Sequence, residues 1–396
     1  MKRLFNLLVV SCVSLLLLSC YKQDDVYKQW VKVGGYNYPA KALNLRAQEG
    51  YNRLILSWEK PKDPAVKHCV LYWNDRRDSL SFDYSQYPSG TISAEVNNLE
   101  DRSYTFNVIN TDNEGNRSLA SELIVGPYGQ GWLSSRTERT ITRAIIDGSD
   151  ALIQLTRSTN EMISTRFRYK NLSNEWVEYE VQLSPGQNEI RLPRALKGKR
   201  FEISSAFCPV GGIDTVWREW MKSSDAISYP LSGSRWTKSA TKGQILDGTS
   251  LEYIFDGIDN SAGSRWHSSR TADLKTIFPK IISIDTRASV GEEFAFTGFT
   301  FCQNTNTANL RYIRNCSIYV GSEPYNPDSK DFQAEFGIPF LAASVSTNND
   351  KQTVFATSGK TGRYLSLVFL NSWDTTNGYV DLWELIPYGY IPSQAD

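Results

Sequence analysis

Short segments in which apolar and polar residues alternate make up most of the chain after residue 40. Alternation of this kind puts every second side chain on the same face and predicts half-buried β-strands. The first group of segments is separated by turns rich in Gly, Pro and Asn, at a spacing typical of a β-sandwich. Strands are predicted there at 43–47, 54–58, 69–73, 93–96, 104–108 and 121–125.

A second group of alternating segments follows, and a third region begins where Pro, Ser and Gly cluster near residue 230. Such clusters are typical of boundaries between folded segments. Beyond the first 20 residues, no long segment repeats its apolar positions with the period of a helix. The chain is therefore predicted to be all-β, with domains at 41–130, 131–229 and 230–396.

The N-terminus has the pattern of a secretory signal. A basic Met1-Lys2-Arg3 start precedes an apolar run over 4–18, and Leu17-Leu18-Ser19-Cys20 leads into a polar segment. The alternative interpretation is a membrane-spanning helix, but such a helix needs about 20 apolar residues and this run is shorter. With Cys20 at the cleavage point, the segment resembles the lipobox of bacterial lipoproteins. The resemblance implies a signal peptide at 1–19, lipidation of Cys20 and a tether at 20–40.

Two acidic residues, Asp24 and Asp25, follow the cysteine closely. They resemble the acidic export signal of surface lipoproteins in gut Bacteroidetes, although a plain solvated linker would have the same composition. The resemblance implies a protein anchored by lipid in the outer membrane and exposed at the cell surface.

Charge and composition narrow the classes of partner. The chain has 43 Lys and Arg against 43 Asp and Glu, and it has no polybasic block, so nucleic acid is not an expected partner. The 11 Trp and 21 Tyr residues favour β-strands and also provide rings that could stack on sugars.

Beyond Cys20, the mature sequence has four cysteines: Cys69, Cys208, Cys302 and Cys316. Their spacing fits no zinc pattern. Cys302 and Cys316 lie near the ends of two predicted strands and could form a disulfide in an exported protein. Equally, each could be a small buried apolar residue, and the sequence leaves both alternatives open.

The first domain resembles a fibronectin type III domain. Trp58 matches the core tryptophan of that family, Leu99 and Tyr104 match its tyrosine corner, and residues 113–118 match its last hairpin. Residues 131–229 resemble a weaker copy without the tryptophan. These resemblances imply two sandwiches that act as a scaffold.

The third domain resembles discoidin, or coagulation factor V/VIII type C, domains, whose fold carries many carbohydrate-binding modules. The resemblance implies a β-sandwich jelly roll of about eight strands. It is carried by residues 235–236, 254–260, 264–268, 278–285, 318–322, 364–367 and 380–389.

Many relatives in that family hold a structural calcium ion at the turn matched by 256–260. Calcium takes 6–8 oxygen ligands. The resemblance implies that Asp256, Asp259, Ser264 and Glu384 supply them here. The alternative is a tight turn in which Asp256 bonds to its own backbone.

The same resemblance implies a sugar site. His267 lies on the matching loop, although Trp266 could instead be a core residue that His267 shields. Relatives often have an arginine at the position that is Gln303 in this chain. Arg311 and Arg314 follow later in the sequence and are the candidate ligand-binding arginines here. Trp373 stands between polar residues and is predicted to be an exposed stacking platform.

The sequence lacks the phosphate-loop, metalloprotease and serine-hydrolase motifs. It therefore predicts a surface lipoprotein without enzymatic activity that captures a glycan through residues 230–396. By resemblance it would work beside an outer-membrane glycan transporter. The alternatives are an adhesion or protein-binding module without a sugar ligand and a glycoside hydrolase.

The Cys20→Ala variant should lose lipidation and leave the membrane fraction, because no thiol remains to carry the acyl chains. Labelling with radioactive palmitate and detergent partitioning measure this. Unchanged partitioning of the variant would contradict the assignment.

Overall fold

The computed structural model describes residues 38–88, 90–259, 263–303, 311–346 and 351–396, and these form an almost entirely β protein, as predicted. The signal peptide, Cys20 and nearly all of the tether lie outside the described residues. The chain forms two compact units. The first contains the described residues up to Ser135 together with Gly211–Asp214, and the second contains Arg136–Val210 and Thr215–Asp396.

Helices are short in the described part of the chain. The two α-helices are α1 (Gln130–Ser134) and α2 (Phe332–Phe336). Short 3₁₀ helices lie at Tyr84–Gln86, Leu251–Phe255 and Pro392–Gln394. Within the described ranges, none of the helices has the length and apolarity needed to cross a membrane.

A sandwich of two antiparallel sheets makes up most of the first unit. Its strands are β1 (Leu43–Gly50), β2 (Arg53–Glu59), β3 (Val66–Trp73), β4 (Asp78–Asp83), β5 (Thr91–Val96), β6 (Tyr104–Asp112) and β7 (Ser121–Val125). One sheet has the order β1-β2-β5 and the other has the order β4-β3-β6-β7. All six predicted strands are present, whereas β4 was not predicted.

The core of this sandwich lies between its two sheets. Trp58 is fully buried, with its ring 5.3 Å from the ring of Phe82, so its prediction as a core residue is confirmed. The hydroxyl of Tyr104 accepts a hydrogen bond of 3.0 Å from the backbone NH of Glu100. Tyr104 thereby ties the start of β6 to the preceding turn.

The second unit contains another sandwich with its own core, formed over residues 144–227. Its strands are β8 (Ile141–Asp147), β9 (Asp150–Leu155), β10 (Met162–Lys170), β11 (Trp176–Gln182), β12 (Glu189–Leu192), β13 (Glu202–Phe207), β14 (Val216–Trp217) and β15 (Met221–Lys222). They form two sheets with the orders β8-β9-β12 and β11-β10-β13-β14, and β15 also pairs with β13.

The rest of the second unit is a larger sandwich with a separate core over residues 231–385. Its strands are β16 (Tyr229–Pro230), β17 (Thr237–Ala240), β18 (Trp266–His267), β19 (Lys280–Asp285), β20 (Phe294–Cys302), β21 (Ile313–Gly321), β22 (Leu341–Ser344), β23 (Lys351–Gly362), β24 (Tyr364–Ser372), β25 (Asp381–Leu382) and β26 (Glu384–Tyr390). They form two sheets with the orders β16-β26-β20-β23 and β17-β19-β24-β21-β22, and β18 pairs with β25 in a separate ribbon.

The division into units does not separate the predicted domains 131–229 and 230–396, since both lie in the second unit. Each of them nevertheless has its own apolar core. The predicted boundary at residue 230 stays a prediction.

The cysteines of the third sandwich are free thiols. Cys302 and Cys316 are buried in different sheets, on β20 and β21. The sequence left two alternatives open for these cysteines. In the structure each is a buried residue with a free thiol, and they do not form a disulfide.

Candidate functional site

The short ribbon of β18 and β25 is the frame of the candidate site. Trp266 lies opposite Leu382, and His267 lies opposite Asp381. Successive side chains on a strand point to opposite faces. Trp266 is fully buried in the core, where its ring stacks on that of Phe369 at 5.4 Å. The ribbon therefore turns His267 and Asp381 away from the core ring.

His267 is completely buried, and both of its ring nitrogens have neighbours. Nδ1 lies against the carbonyl oxygen of Ser268, which assigns the proton to Nδ1. Nε2 then accepts hydrogen bonds of 3.2 and 3.1 Å from the guanidinium of Arg270. The pKa of His267 is lowered to about 4, mainly by burial and in part by the positive charges of Arg270, Arg311 and Arg265. The ring is neutral at physiological pH.

Asp381 places a carboxyl group beside this ring. Its Oδ1 is 3.3 Å from His267 Nε2, and its Oδ2 is 3.7 Å from Arg265 Nε. Burial raises the pKa of Asp381 to about 6, against the opposing effect of Arg265, Arg311 and Arg270. The carboxyl group is thus predominantly ionised at pH 7.

A tyrosine ring completes the group. The guanidinium carbons of Arg270 and Arg311 lie 5.8 and 5.9 Å from the centre of the Tyr379 ring, and the ring of His267 lies 5.5 Å from it. Arg270 is exposed, whereas Arg311 and Tyr379 are partly exposed. These residues are called the arginine cluster below: Arg265, His267, Arg270, Arg311, Tyr379 and Asp381.

Backbone hydrogen bonds hold the segments of the arginine cluster together. The NH of Asp381 donates to the carbonyl of Arg311 at 2.9 Å, and the NH of Ser268 donates to the carbonyl of Val380 at 2.9 Å. Three segments distant in sequence therefore meet at fixed positions.

A buried lysine supports the loop that follows Arg270. Lys280 Nζ lies 3.3, 3.1 and 3.0 Å from the carbonyl oxygens of Leu274, Lys275 and Ile277, and 3.3 Å from Gln244 Oε1. Burial lowers the pKa of Lys280 to about 8, so the group keeps its proton at pH 7. The ammonium compensates for its burial through these oxygens and fixes the loop.

Gln244 connects this loop to the core. Its backbone carbonyl accepts a hydrogen bond of 2.9 Å from the indole NH of Trp266, and its side-chain amide donates to the carbonyl of Leu274 at 2.9 Å. The loop beside Arg270 is therefore anchored to the same tryptophan that anchors the ribbon.

The sequence-predicted ligand residues fall into two pairs. His267 and Arg311 meet in the arginine cluster. Arg314 packs instead on Trp373, with its guanidinium carbon 4.7 Å from the ring centre. Their segments adjoin the cluster, because the NH of Trp373 donates to the carbonyl of Tyr312 at 3.0 Å.

Two of these residues are less accessible than the sequence predicted. Trp373 is only partly exposed, because its indole NH donates to the carbonyl of Val345 at 3.0 Å and Arg314 covers its ring. His267 is fully buried, because the ribbon and Arg270 enclose it. Trp266 is a core residue, which was the alternative to a sugar-binding role for this loop.

Four members of the arginine cluster were not predicted from the sequence: Arg265, Arg270, Tyr379 and Asp381. Arg265 and Arg270 flank the motif around His267, and this proximity was a usable signal. Asp381 and Tyr379 gave no local signal, since their position depends on the pairing of β25 with β18.

The predicted calcium turn brings together three of its four residues. The hydroxyl of Ser264 donates to Asp256 Oδ2, and Glu384 Oε2 accepts from the NH of Gly257 at 3.2 Å. Asp259 pairs with Lys351 Nζ instead. Asp256 Oδ1 also accepts from the NH of Ile258 at 2.8 Å, as the alternative of a tight turn implies.

Glu384 is the buried carboxyl group of the predicted calcium turn. The pKa of Glu384 is raised to about 7, mainly by burial and in part by the negative charges of Asp256 and Asp259. The oxygen donors suit calcium in their chemistry. Within the described ranges, however, no three His, Cys, Asp or Glu side chains are grouped as a metal site, so calcium stays a prediction.

Comparison with protein families gives a match over residues 20–216, just under half of the chain, to a family described as a domain of unknown function, DUF4998. No curated protein matches the chain.

Solved structures with similar folds include two sugar-binding proteins. A family 32 carbohydrate-binding module of C. perfringens NanJ, in complex with galactose, has 16% identity and a TM-score of 0.31, covering 41% of this chain and 99% of that one. A fucolectin from striped bass (Morone saxatilis) has 11% identity and a TM-score of 0.30, covering 63% and 85%. A SusE-like protein has 10% identity and a TM-score of 0.28, covering 88% and 96%.

If the turn binds calcium, the melting temperature should be higher in excess calcium than in EGTA, because the ion offsets the repulsion between Asp256 and Glu384. Glu384→Gln should abolish this difference. Glu252→Gln, an exposed residue of the same sandwich paired with Lys238, should retain it. Equal melting temperatures of the unaltered protein in both buffers would contradict the prediction.

Proposed function

We propose that this protein is a lipid-anchored surface protein of the outer membrane that binds a glycan through the arginine cluster of its C-terminal sandwich. The observation that carries the proposal is the convergence of several guanidinium groups and one tyrosine ring on a buried His–Asp pair. Sugars offer hydroxyl groups in fixed directions and apolar ring faces, and a site that recognises them needs polar groups and an aromatic ring.

The arginine cluster supplies both kinds of contact. The exposed guanidinium of Arg270 and the partly exposed guanidinium of Arg311 can donate hydrogen bonds to hydroxyl oxygens. The partly exposed ring of Tyr379 lies within 6 Å of both guanidinium carbons and can stack on a sugar ring. The backbone bonds described above fix these groups, which reduces the entropy lost on binding.

In this proposal His267 is a positioning residue. Its ring is buried, so it acts on the ligand through Arg270, whose guanidinium it holds by Nε2. Arg314 and Trp373 form an adjoining part of the site that would contact a second sugar unit of a longer chain. Trp373 can still contribute the exposed part of its ring.

The proposed function is binding without catalysis. Glycoside hydrolysis generally uses two carboxyl groups on either side of the scissile bond. Among the described members of the arginine cluster, Asp381 is the one carboxyl group, and it is almost completely buried. This arrangement favours capture of the glycan over its hydrolysis.

The two N-terminal sandwiches are proposed to be fibronectin type III-like spacers. The three-plus-four strand order of the first, with Trp58 in the core and the Tyr104 hydroxyl bonded to the turn before it, supports this assignment. The third sandwich is proposed to be discoidin-like. The lipobox-like N-terminus supports the membrane anchor and, with Asp24 and Asp25, the cell-surface location. A partnership with an outer-membrane glycan transporter belongs to the same proposal.

Tyr379→Ala should weaken glycan binding by about 1–3 kcal/mol, by analogy with the stacking of bases on aromatic rings. Trp373→Ala should weaken the binding of longer oligosaccharides and leave that of single sugars unchanged. Trp176→Ala, which removes an exposed ring from the second sandwich, is the control and should bind normally. A glycan array followed by calorimetry with the best ligand measures these effects.

Retention of full affinity by Tyr379→Ala, with an unchanged melting temperature, would place the binding site elsewhere. Release of reducing ends from a bound glycan would overturn the proposal of binding without hydrolysis. Binding of a protein and of no glycan would favour the adhesion alternative.

A further inference from the structure

The arginine cluster has a strong local excess of positive charge. Three guanidinium groups, those of Arg265, Arg270 and Arg311, act on the single carboxyl group of Asp381. His267 adds no charge at neutral pH, because burial lowers its pKa to about 4. The whole chain has a net charge of zero, so this excess is a property of the site and not of the protein surface in general.

We propose that the glycan bound at the arginine cluster is acidic, and that Arg270 and Arg311 bind its carboxylate or sulfate group. This inference rests on the proposed glycan-binding function and adds the charge class of the sugar. Carboxylate and sulfate share the relevant chemistry, which is a planar or pyramidal set of anionic oxygens that accepts several hydrogen bonds from a guanidinium.

Arg311 has unused capacity for such an acceptor. Its Nε is buried and, among the described residues, has no hydrogen-bond partner. Its backbone carbonyl is fixed by the NH of Asp381, so the side chain starts from a defined position. Nε is closed to solvent, so an anionic group with two oxygens would pair with the two terminal NH₂ groups of the partly exposed side chain. A single hydroxyl oxygen satisfies such a fork less well.

Arg270 is oriented for the same group. His267 Nε2 accepts from its Nε and Nη2, which holds the plane of the guanidinium. Its Nη1 has no protein partner in the described part of the chain and remains to bind a ligand. The guanidinium carbons of the two arginines lie 5.8 and 5.9 Å from the Tyr379 ring centre, so both positive charges stand beside the ring on which the sugar is proposed to stack.

Arg265 has a different position in this arrangement. Its Nε lies 3.7 Å from Asp381 Oδ2, which assigns it to neutralising that carboxyl group. Asp381 carries one negative charge against the three guanidinium charges that act on it, so positive charge is left over at the cluster. Arg270 and Arg311 keep this charge available for the ligand.

The test is an array of glycans in matched pairs, probed with the mature full-length protein. Polygalacturonate is paired with its methyl ester, and carrageenan with desulfated carrageenan, so that each pair shares its sugar backbone and differs at the acidic group. The acidic member of at least one pair should bind on the order of 10-fold more tightly than its neutral partner, since hydrogen bonds to charged groups are the stronger ones. The pair that responds distinguishes carboxylate from sulfate.

Variants assign the effect to the site. Arg311→Gln and Arg270→Gln should each weaken the binding of the acidic glycan on the order of 10- to 100-fold. Arg270 is exposed, so its variant tests the proposal even if Arg311→Gln fails to fold. Arg363→Gln is the matched control, because Arg363 precedes β24 at the end away from Trp373 and pairs with Asp285. It should bind normally.

The outcomes separate the two proposals. Equal binding of acidic and neutral members at a site sensitive to Tyr379→Ala would overturn the acidic ligand and leave the glycan-binding function in place. Acidic binding that both arginine variants retain would overturn the assignment of Arg270 and Arg311. Binding to no member of any pair, acidic or neutral, would overturn both proposals.

Discussion

The candidate site depends on one constraint, the burial of Asp381 beside His267 within a group of arginines. A carboxylate removed from water needs compensating charge or hydrogen bonds. Here the compensation comes from guanidinium groups on two segments, one at residues 265–270 and one at Arg311. Because Asp381 faces both segments, its burial requires them to stay together. The burial of His267 and the charges of the same arginines keep this imidazole neutral, and Arg270 and Arg311 lie beside Tyr379.

The constraint in turn rests on the core of the third sandwich. Trp266 and His267 are consecutive residues of a short strand, so fixing one ring fixes the direction of the other. The indole of Trp266 is held by Phe369 and by the carbonyl of Gln244. Gln244 and the buried ammonium of Lys280 then hold the loop after Arg270. The packing of an apolar core thus sets the geometry of a polar site at its edge.

Sequence alone predicted the fold class and much of the first sandwich. The strand predicted at 93–96 lies within β5, because alternation in a strand with one buried face is a strong local signal. Strand β4 escaped prediction although Leu80 and Phe82 alternate with polar residues, because the run is short and most of its residues are exposed at a sheet edge. For the site, His267 and Arg311 were among the predicted ligand residues, and the structure places both beside Tyr379. Asp381 and Tyr379 were missed, because they join the site only through a pairing between strands more than 100 residues apart.

Hydrogen–deuterium exchange of the full-length protein, with and without a bound oligosaccharide, tests the central claim most directly. If the arginine cluster is the glycan site, the ligand should slow exchange at 265–271, 311–314 and 379–382 and leave the exposed sheet face around Trp176 unchanged. Slower exchange at the N-terminal sandwiches alone, with these three segments unaffected, would contradict the account.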